Sequence, residues 1–122
     1  MADFTITWRG KSGNPYIFEA FPDRTGFNSV SGVYIFCRNI PGSGWEALYV
    51  GEAQSLKDRL NTGVSGHDGY ERAKAAGATH IAAMAVSGGA ERLRVETDLR
   101  HGLNPSCNAQ GLNALAGFGF RK

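Results

Sequence analysis

The sequence predicts an α+β protein in which a small mixed β-sheet packs against helices and carries an N-terminal β-hairpin. Two observations predict this class. Short segments rich in β-branched and aromatic residues precede amphipathic helical segments, and glycine clusters separate them. The chain has 122 residues, of which 42% are apolar and 20% charged. This size and composition are typical of one folded domain with a modest core.

Two strand pairs are expected in the first half of the chain. Their segments are 4–8 with 16–21 in the hairpin, and 32–37 with 46–50 in a second pair. The register of the second pair matters because it carries two tyrosines. If Cys37 lies opposite Glu46, then Tyr34 lies opposite Tyr49 and both phenols project from one face of the sheet. Such a pair is either packing or part of a site.

Capping signals and periodicity predict the elements of the second half. Ser55 followed by Asp58, and Asp68 followed by Glu71, each resemble a capping box. The predicted elements are helices at 55–60, 68–76 and 90–103 and a buried strand at 79–86.

The predicted elements divide the chain into three parts. Residues 1–30 are expected to form a hairpin extension, residues 31–108 the main domain, and residues 109–122 a tail that packs through Phe118 and Phe120.

Composition and missing motifs narrow the function classes. The formal charge of +2 provides little overall attraction to nucleic acid, so a DNA contact would need a local basic patch. Cys37 and Cys107 fit neither a disulfide framework nor a zinc-ligand spacing, which predicts a reducing, cytoplasmic setting. The sequence has no nucleotide-binding or serine-hydrolase motif and no apolar run long enough for a membrane span.

Glu96 is an unusual residue in the last predicted helix. Helical spacing places its carboxylate between Leu93 and Leu99, within the apolar stripe. A buried carboxylate needs a cation, which is either a metal ion or one of the arginines four residues away, Arg92 and Arg100. The sequence leaves both alternatives open.

Three basic residues are candidates for contact with an anion or with the site. Arg59 lies on the short helix after Ser55, and its planar guanidinium is suited to phosphate. Lys57 would add to a phosphate-binding patch. His67 belongs to no metal-binding histidine motif, and a structural role is the simpler interpretation.

A series of segments, taken in order, resembles the GIY-YIG nuclease family. The segments are Gly32-Val33-Tyr34, Tyr49-Val50-Gly51, Ser55-Leu-Lys-Asp-Arg-Leu60 and residues 95–108. The resemblance covers roughly residues 30–108 and is strongest to the N-terminal catalytic domains of excision-repair nuclease C subunits. In those domains a helical glutamate is followed at the same distances by the equivalents of Leu99, Pro105 and Asn108.

This resemblance implies a GIY-YIG fold and a metal-dependent endonuclease that hydrolyses DNA phosphodiester bonds. Tyr34 and Tyr49 would be the paired active-site tyrosines, and Arg59 would stabilise charge on the phosphate. Glu96 would be the only protein ligand of one Mg²⁺ or Mn²⁺ ion, with Asn108 in support. Proposals for the family favour the tyrosine in the position of Tyr34 as general base. DNA would be the partner, and the sequence is compatible with a homodimer.

Two departures from the family pattern support other interpretations. Gly63 stands four residues after Arg59, where many relatives have a histidine or tyrosine, and His67 is the candidate to take that role. Glu52 stands where many relatives have a lysine, which adds negative charge beside a phosphate site. The alternatives are a catalytically inactive nucleic-acid-binding module with this fold, and a partner-binding protein that docks through the N-terminal hairpin.

Overall fold

Five β-strands and two α-helices form most of residues 4–108, the part of the chain that this computed structural model describes. The strands are β1 (Phe4–Arg9), β2 (Pro15–Pro22), β3 (Gly32–Ile40), β4 (Gly44–Ala53) and β5 (His80–Ala85), and the helices are α1 (Asp68–Ala75) and α2 (Gly89–Leu103). Neither helix is long and apolar enough to cross a membrane. The predicted tail with Phe118 and Phe120 lies outside the described residues.

The strands form one sheet in the order β1-β2-β5-β3-β4. Every pairing in this sheet is antiparallel, so the α+β class is confirmed but the prediction of a mixed sheet was wrong. The reason is the position of β5, which enters between β2 and β3 and runs opposite to both. β2 and β3 point in the same direction but are never neighbours.

The N-terminal hairpin belongs to this same sheet. β2 pairs with β5 from Glu19 opposite Ala83 to Pro22 opposite His80. Alternate residues of the hairpin are buried, as period-two strands require. Trp8 is one of these buried residues and belongs to the same apolar cluster as residues of α2. The hairpin therefore contributes to the core beneath α2.

The sheet lies between two layers, with α2 on one face and α1 on the other. Successive residues of β3 alternate between the two apolar clusters. Val33 and Ile35 pack in the cluster that contains Leu99 of α2, whereas Tyr34 packs in the cluster that contains Ala73 of α1. Tyr34 thus faces the α1 layer.

The predicted register of β3 and β4 was wrong. Tyr34 lies opposite Gly51, and Tyr49 lies opposite Phe36, because a β-bulge shifts the pairing after Phe36. The bulge leaves Leu48 without a partner in the ladder. The two phenols still share one face of the sheet, now as diagonal neighbours.

The segment between β4 and α1 differs in part from the two predicted helices. Ser55 Oγ accepts a hydrogen bond from the Asp58 N–H over 3.2 Å, as its capping signal predicts. The chain then forms a π-helical turn over Asp58–Thr62 instead of an α-helix ending at Leu60. α1 begins as predicted, but its N-cap side chain is that of His67, not Asp68.

Candidate active site

A cavity of about 430 Å³ opens beside the edge strand β4, where α2 and the tyrosine-bearing face of the sheet meet. The cavity lining includes five residues expected from the sequence: Tyr34, Tyr49, Arg59, Glu96 and Asn108. The other lining residues are Val50, Gly51, Glu52, Leu93 and Arg100. Two carboxylates and two guanidinium groups therefore surround one concave surface.

Two glycines make room for the tyrosines of the cavity. The rings of Tyr34 and Tyr49 stack with centroids 6.2 Å apart. A Cβ on Gly51 would lie 2.5 Å from Cζ of Tyr34, and a Cβ on Gly69 would lie 2.5 Å from Cε1 of Tyr49. Both ring positions therefore require a residue without a side chain behind them.

His67 lies behind Tyr34 rather than in the cavity lining. Its Nε2 is 2.7 Å from the Tyr34 hydroxyl oxygen, and its Nδ1 accepts the N–H of Tyr70 over 3.1 Å. Burial, reinforced by the nearby charge of Arg59, lowers the pKa of His67 to about 4. The imidazole is therefore neutral at physiological pH.

Tyr34 is a buried phenol with a perturbed hydroxyl. Desolvation raises its pKa well above the ordinary value, and the neighbouring Tyr49 raises it further. The guanidinium of Arg59 lies beside the same hydroxyl and lowers the pKa, but burial dominates. Tyr34 consequently keeps its proton at neutral pH.

Arg59 and Lys57 have different environments. Arg59 lines the cavity and forms no ion pair with any residue between 4 and 108. Lys57 is exposed and lies outside the cavity lining, and its backbone N–H bonds the carbonyl of Asn28. The structure thus brings Arg59, but not Lys57, to the candidate site.

Glu96 is buried at the cavity wall and pairs with Arg100. Its Oε2 accepts from Arg100 Nε over 3.0 Å, and Arg100 is one of the two arginines that the sequence allowed as its partner. The predicted stripe was partly wrong, because Leu93 is 56% exposed and the buried face runs through Val95 and Leu99 instead. Within the described residues 4–108, Glu96 Oε1 bonds only the Thr97 hydroxyl, over 3.3 Å.

The carboxylate groups of the cavity are of the type that binds a hard cation with oxygen ligands. Among residues 4–108 no group of three or more histidine, cysteine or carboxylate side chains is placed to hold a metal. The cavity nevertheless contains Glu96, whose Oε1 has no cationic partner in the part of the chain that the structure describes. One carboxylate with open space around it suits Mg²⁺, which retains several waters when it binds protein.

Glu52 is paired with an arginine that sequence reasoning did not connect to it. Arg92 Nε donates to Glu52 Oε1 over 2.7 Å. The sequence suggests Arg92 only as a partner of Glu96, because Arg92 lies one helical turn away on α2. The actual pair joins α2 to β4, and no local spacing indicates it.

The π-helical turn explains the glycine at position 63. The Gly63 N–H bonds the carbonyl of Asp58 over 2.7 Å, and a Cβ at this position would lie 2.8 Å from the same oxygen. A larger residue here would require the turn to move. His67 comes from beyond the turn and contacts Tyr34.

Asn108 is held on the edge strand by both ends of its amide. Its Oδ1 accepts the Val50 N–H over 2.6 Å, and its Nδ2 donates to the Val50 carbonyl over 2.9 Å. The amide thus replaces a strand neighbour for β4. Asn108 positions the strand that carries Tyr49 and Glu52.

No protein-family model, curated protein or solved structure matches this chain.

Proposed function

We propose that this chain is a metal-dependent endonuclease of the GIY-YIG type that hydrolyses DNA phosphodiester bonds. The observation that supports this most is the convergence of Tyr34, Tyr49, Arg59 and Glu96 on one cavity. These residues come from two strands, a turn and a helix, and the chemistry requires them to meet. The GIY-YIG fold is part of the same proposal.

Arg59 is the residue best suited to the phosphate. It is half-buried, lines the cavity and has no carboxylate partner in residues 4–108, so its guanidinium donors are available to an anion. A planar guanidinium binds phosphate oxygens through two hydrogen bonds. The same group stabilises the charge that accumulates on a pentavalent phosphorane.

Tyr34 and Glu96 would complete the site. Because Tyr34 stays protonated at neutral pH, its hydroxyl donates a hydrogen bond to a substrate oxygen. Glu96 would hold one Mg²⁺ or Mn²⁺ ion through its carboxylate. A bound ion of this kind supplies Lewis-acid polarisation of the phosphodiester and charge neutralisation in the transition state.

The test is cleavage of supercoiled plasmid and branched DNA in the presence of Mg²⁺ or Mn²⁺. Wild-type protein should cleave, and a chelator should stop it. Arg59→Ala should lower turnover by about 100-fold while DNA affinity changes far less, because the guanidinium acts mainly on transition-state charge. Arg94→Ala is the matched control, since Arg94 is exposed and pairs with Glu91 away from the cavity.

The other outcomes of this assay separate the alternatives. Salt-dependent DNA binding without cleavage would favour the inactive nucleic-acid-binding module. If the protein neither binds nor cleaves DNA, a partner-binding protein is favoured. Such a protein would use the open edge of β1, which is an outer strand of the sheet.

A further inference from the structure

The imidazole of His67 is held at both nitrogens. Nδ1 accepts the Tyr70 N–H at the start of α1, so Nδ1 carries no proton. A neutral imidazole has one N–H, which must therefore be on Nε2. Nε2 lies 2.7 Å from the hydroxyl oxygen of Tyr34 and donates to it.

This arrangement fixes the direction of the Tyr34 hydroxyl. Its oxygen accepts from His67, so its own proton cannot point back toward Nε2. The Arg59 guanidinium lies beside the same oxygen and is also only a donor. The Tyr34 proton is thus left to point away from both donors, toward the cavity that Tyr34 lines.

The surroundings of His67 prevent a different arrangement of its ring. The side chain is fully buried, with 0% exposed surface. The rings of Phe36 and Tyr49 pack edge-on against it, with centroids 5.2 Å from its own in both cases. A flipped imidazole would also place carbon atoms against Tyr34 and the Tyr70 N–H.

We propose that His67 is a positioning residue whose tautomer is set by the N-terminus of α1 and which holds the Tyr34 hydroxyl as a hydrogen-bond donor facing the cavity. The catalytic consequence rests on the proposed nuclease function, whereas the tautomer does not. The role of Tyr34 is then that of a fixed donor to a phosphate or water oxygen, not that of a resting-state base. The lowered pKa of His67 is consistent with its neutral form.

Two substitutions separate the hydrogen bonds of His67. In His67→Asn the amide oxygen can take the place of Nδ1 and keep the helix cap, but the side chain is too short to donate to Tyr34. In His67→Gln the amide nitrogen can take the place of Nε2 and keep the donor to Tyr34, but the cap is lost. The first tests the link to Tyr34, and the second is its matched control.

The two variants should differ in activity. His67→Asn should melt below the wild-type temperature, because a smaller side chain replaces a fully buried ring. It should also lower kcat about tenfold or more with little change in KM, because Tyr34 is no longer oriented. His67→Gln loses the cap and should also melt below the wild-type temperature, but it should retain more activity than His67→Asn. Equal kcat in wild type and His67→Asn, or the reverse order of activities, would overturn the proposal.

Imidazole ¹⁵N NMR provides a readout that does not depend on cleavage. The spectrum of the wild-type protein at neutral pH should show His67 with a protonated Nε2 and an unprotonated Nδ1. Tyr34→Phe should keep this tautomer but speed exchange of the Nε2 proton, because its acceptor is gone. A protonated Nδ1 would overturn the proposal even in an active enzyme. A protonated Nε2 in a protein that cleaves no DNA would overturn the catalytic role and the proposed function, and leave the hydrogen-bond assignment intact.

Discussion

The Arg92 guanidinium donates from Nε to the Glu52 carboxylate over 2.7 Å and thereby joins α2 to β4 beside the cavity. The Arg92 side chain is 9% exposed and that of Glu52 is 34% exposed. Glu52 stands where many members of the nuclease family that the sequence resembles have a lysine. The structure compensates its negative charge with an arginine from the opposite element, so the cavity does not face an isolated carboxylate.

Arg92→Gln should weaken DNA binding and lower the free energy of unfolding. The carboxylate of Glu52 would remain beside the cavity without its cation, and a broken pair of this partly exposed kind costs about 1–3 kcal/mol. Urea denaturation and a DNA titration at fixed salt measure the two effects. The double variant Glu52→Gln/Arg92→Gln should recover most of the affinity, and failure to recover would show that Arg92 acts on DNA directly.

Asn108→Asp should destabilise the edge of the sheet. The carboxylate can still accept the Val50 N–H, but it cannot donate to the Val50 carbonyl and places a negative charge against it. We expect a loss of about 1–3 kcal/mol in the free energy of unfolding. Ser106→Asp, at an exposed neighbouring position, is the control for added charge. Equal stability of the two variants would show that the two hydrogen bonds between Asn108 and Val50 do not stabilise the edge strand.

The helices and strands were largely predictable because local periodicity and capping determine them. The hairpin is an example, since apolar residues such as Trp8 and Tyr16 occur at alternate positions and predict its alternating burial. The register of β3 and β4 was not predictable, because the bulge at Leu48 has no local signal. The antiparallel direction of the sheet likewise depends on where β5 inserts.

The residues that line the cavity were predictable in two ways. Tyr34, Tyr49, Arg59 and Glu96 have residue types and positions in their elements that the sequence alone indicates, whereas Asn108 was named only because of the resemblance to a nuclease family. The supporting contacts were not predictable, because they join elements that are distant in the chain. The Arg92–Glu52 pair and the His67–Tyr34 hydrogen bond both depend on tertiary packing.

Tyr34→Phe and Tyr49→Phe should both retain the fold but differ in stability. Removal of the Tyr34 hydroxyl leaves the buried His67 Nε2–H without its acceptor, which costs about 1–3 kcal/mol. Tyr49→Phe keeps its ring packing and should change the free energy of unfolding by less than about 0.5 kcal/mol. Thermal or urea denaturation decides this, and cleavage assays of the same proteins show whether either phenol acts in catalysis. Unchanged cleavage in both would leave the tyrosines as packing residues.

Stability should fall with acid in a window set by His67. Its pKa is about 4 in the folded chain and 6.5 ordinarily. Burial and the positive charges of Arg59 and Arg72 lower this pKa, and the negative charge of Asp68 raises it only slightly. Between these values the unfolded chain binds more protons, so the contribution of His67 is complete above pH 6.5 and is lost as the pH falls toward 4.

The measurement for this prediction is the free energy of unfolding at several pH values. The part due to His67 should have a slope of at most about 1.4 kcal/mol per pH unit. His67→Asn should lack that part, since it has no titrating group at this position. Identical pH profiles for the two proteins would show that His67 does not titrate in this way.

Glu96→Gln is the change that separates metal binding from the ion pair with Arg100. If Glu96 is the metal ligand, this variant should lose Mg²⁺-dependent cleavage and Mn²⁺ binding by calorimetry. The free energy of unfolding should fall by at most about 1 kcal/mol, because the charge pair that this change removes within residues 4–108 is a helical i,i+4 pair whose Arg100 side chain is 28% exposed. Glu91→Gln, which breaks the exposed pair with Arg94 on the same helix, is the matched control.

Arg100→Gln removes the same ion pair but keeps the carboxylate of Glu96. A metal-ligand role predicts that this variant still binds Mn²⁺, and more tightly than wild type, because the guanidinium no longer competes for Glu96 Oε2. A purely structural ion pair predicts that Arg100→Gln and Glu96→Gln behave alike in every assay. A Glu96→Gln protein that cleaves DNA at the wild-type rate would exclude Glu96 as the metal ligand and end the mechanism proposed for this cavity.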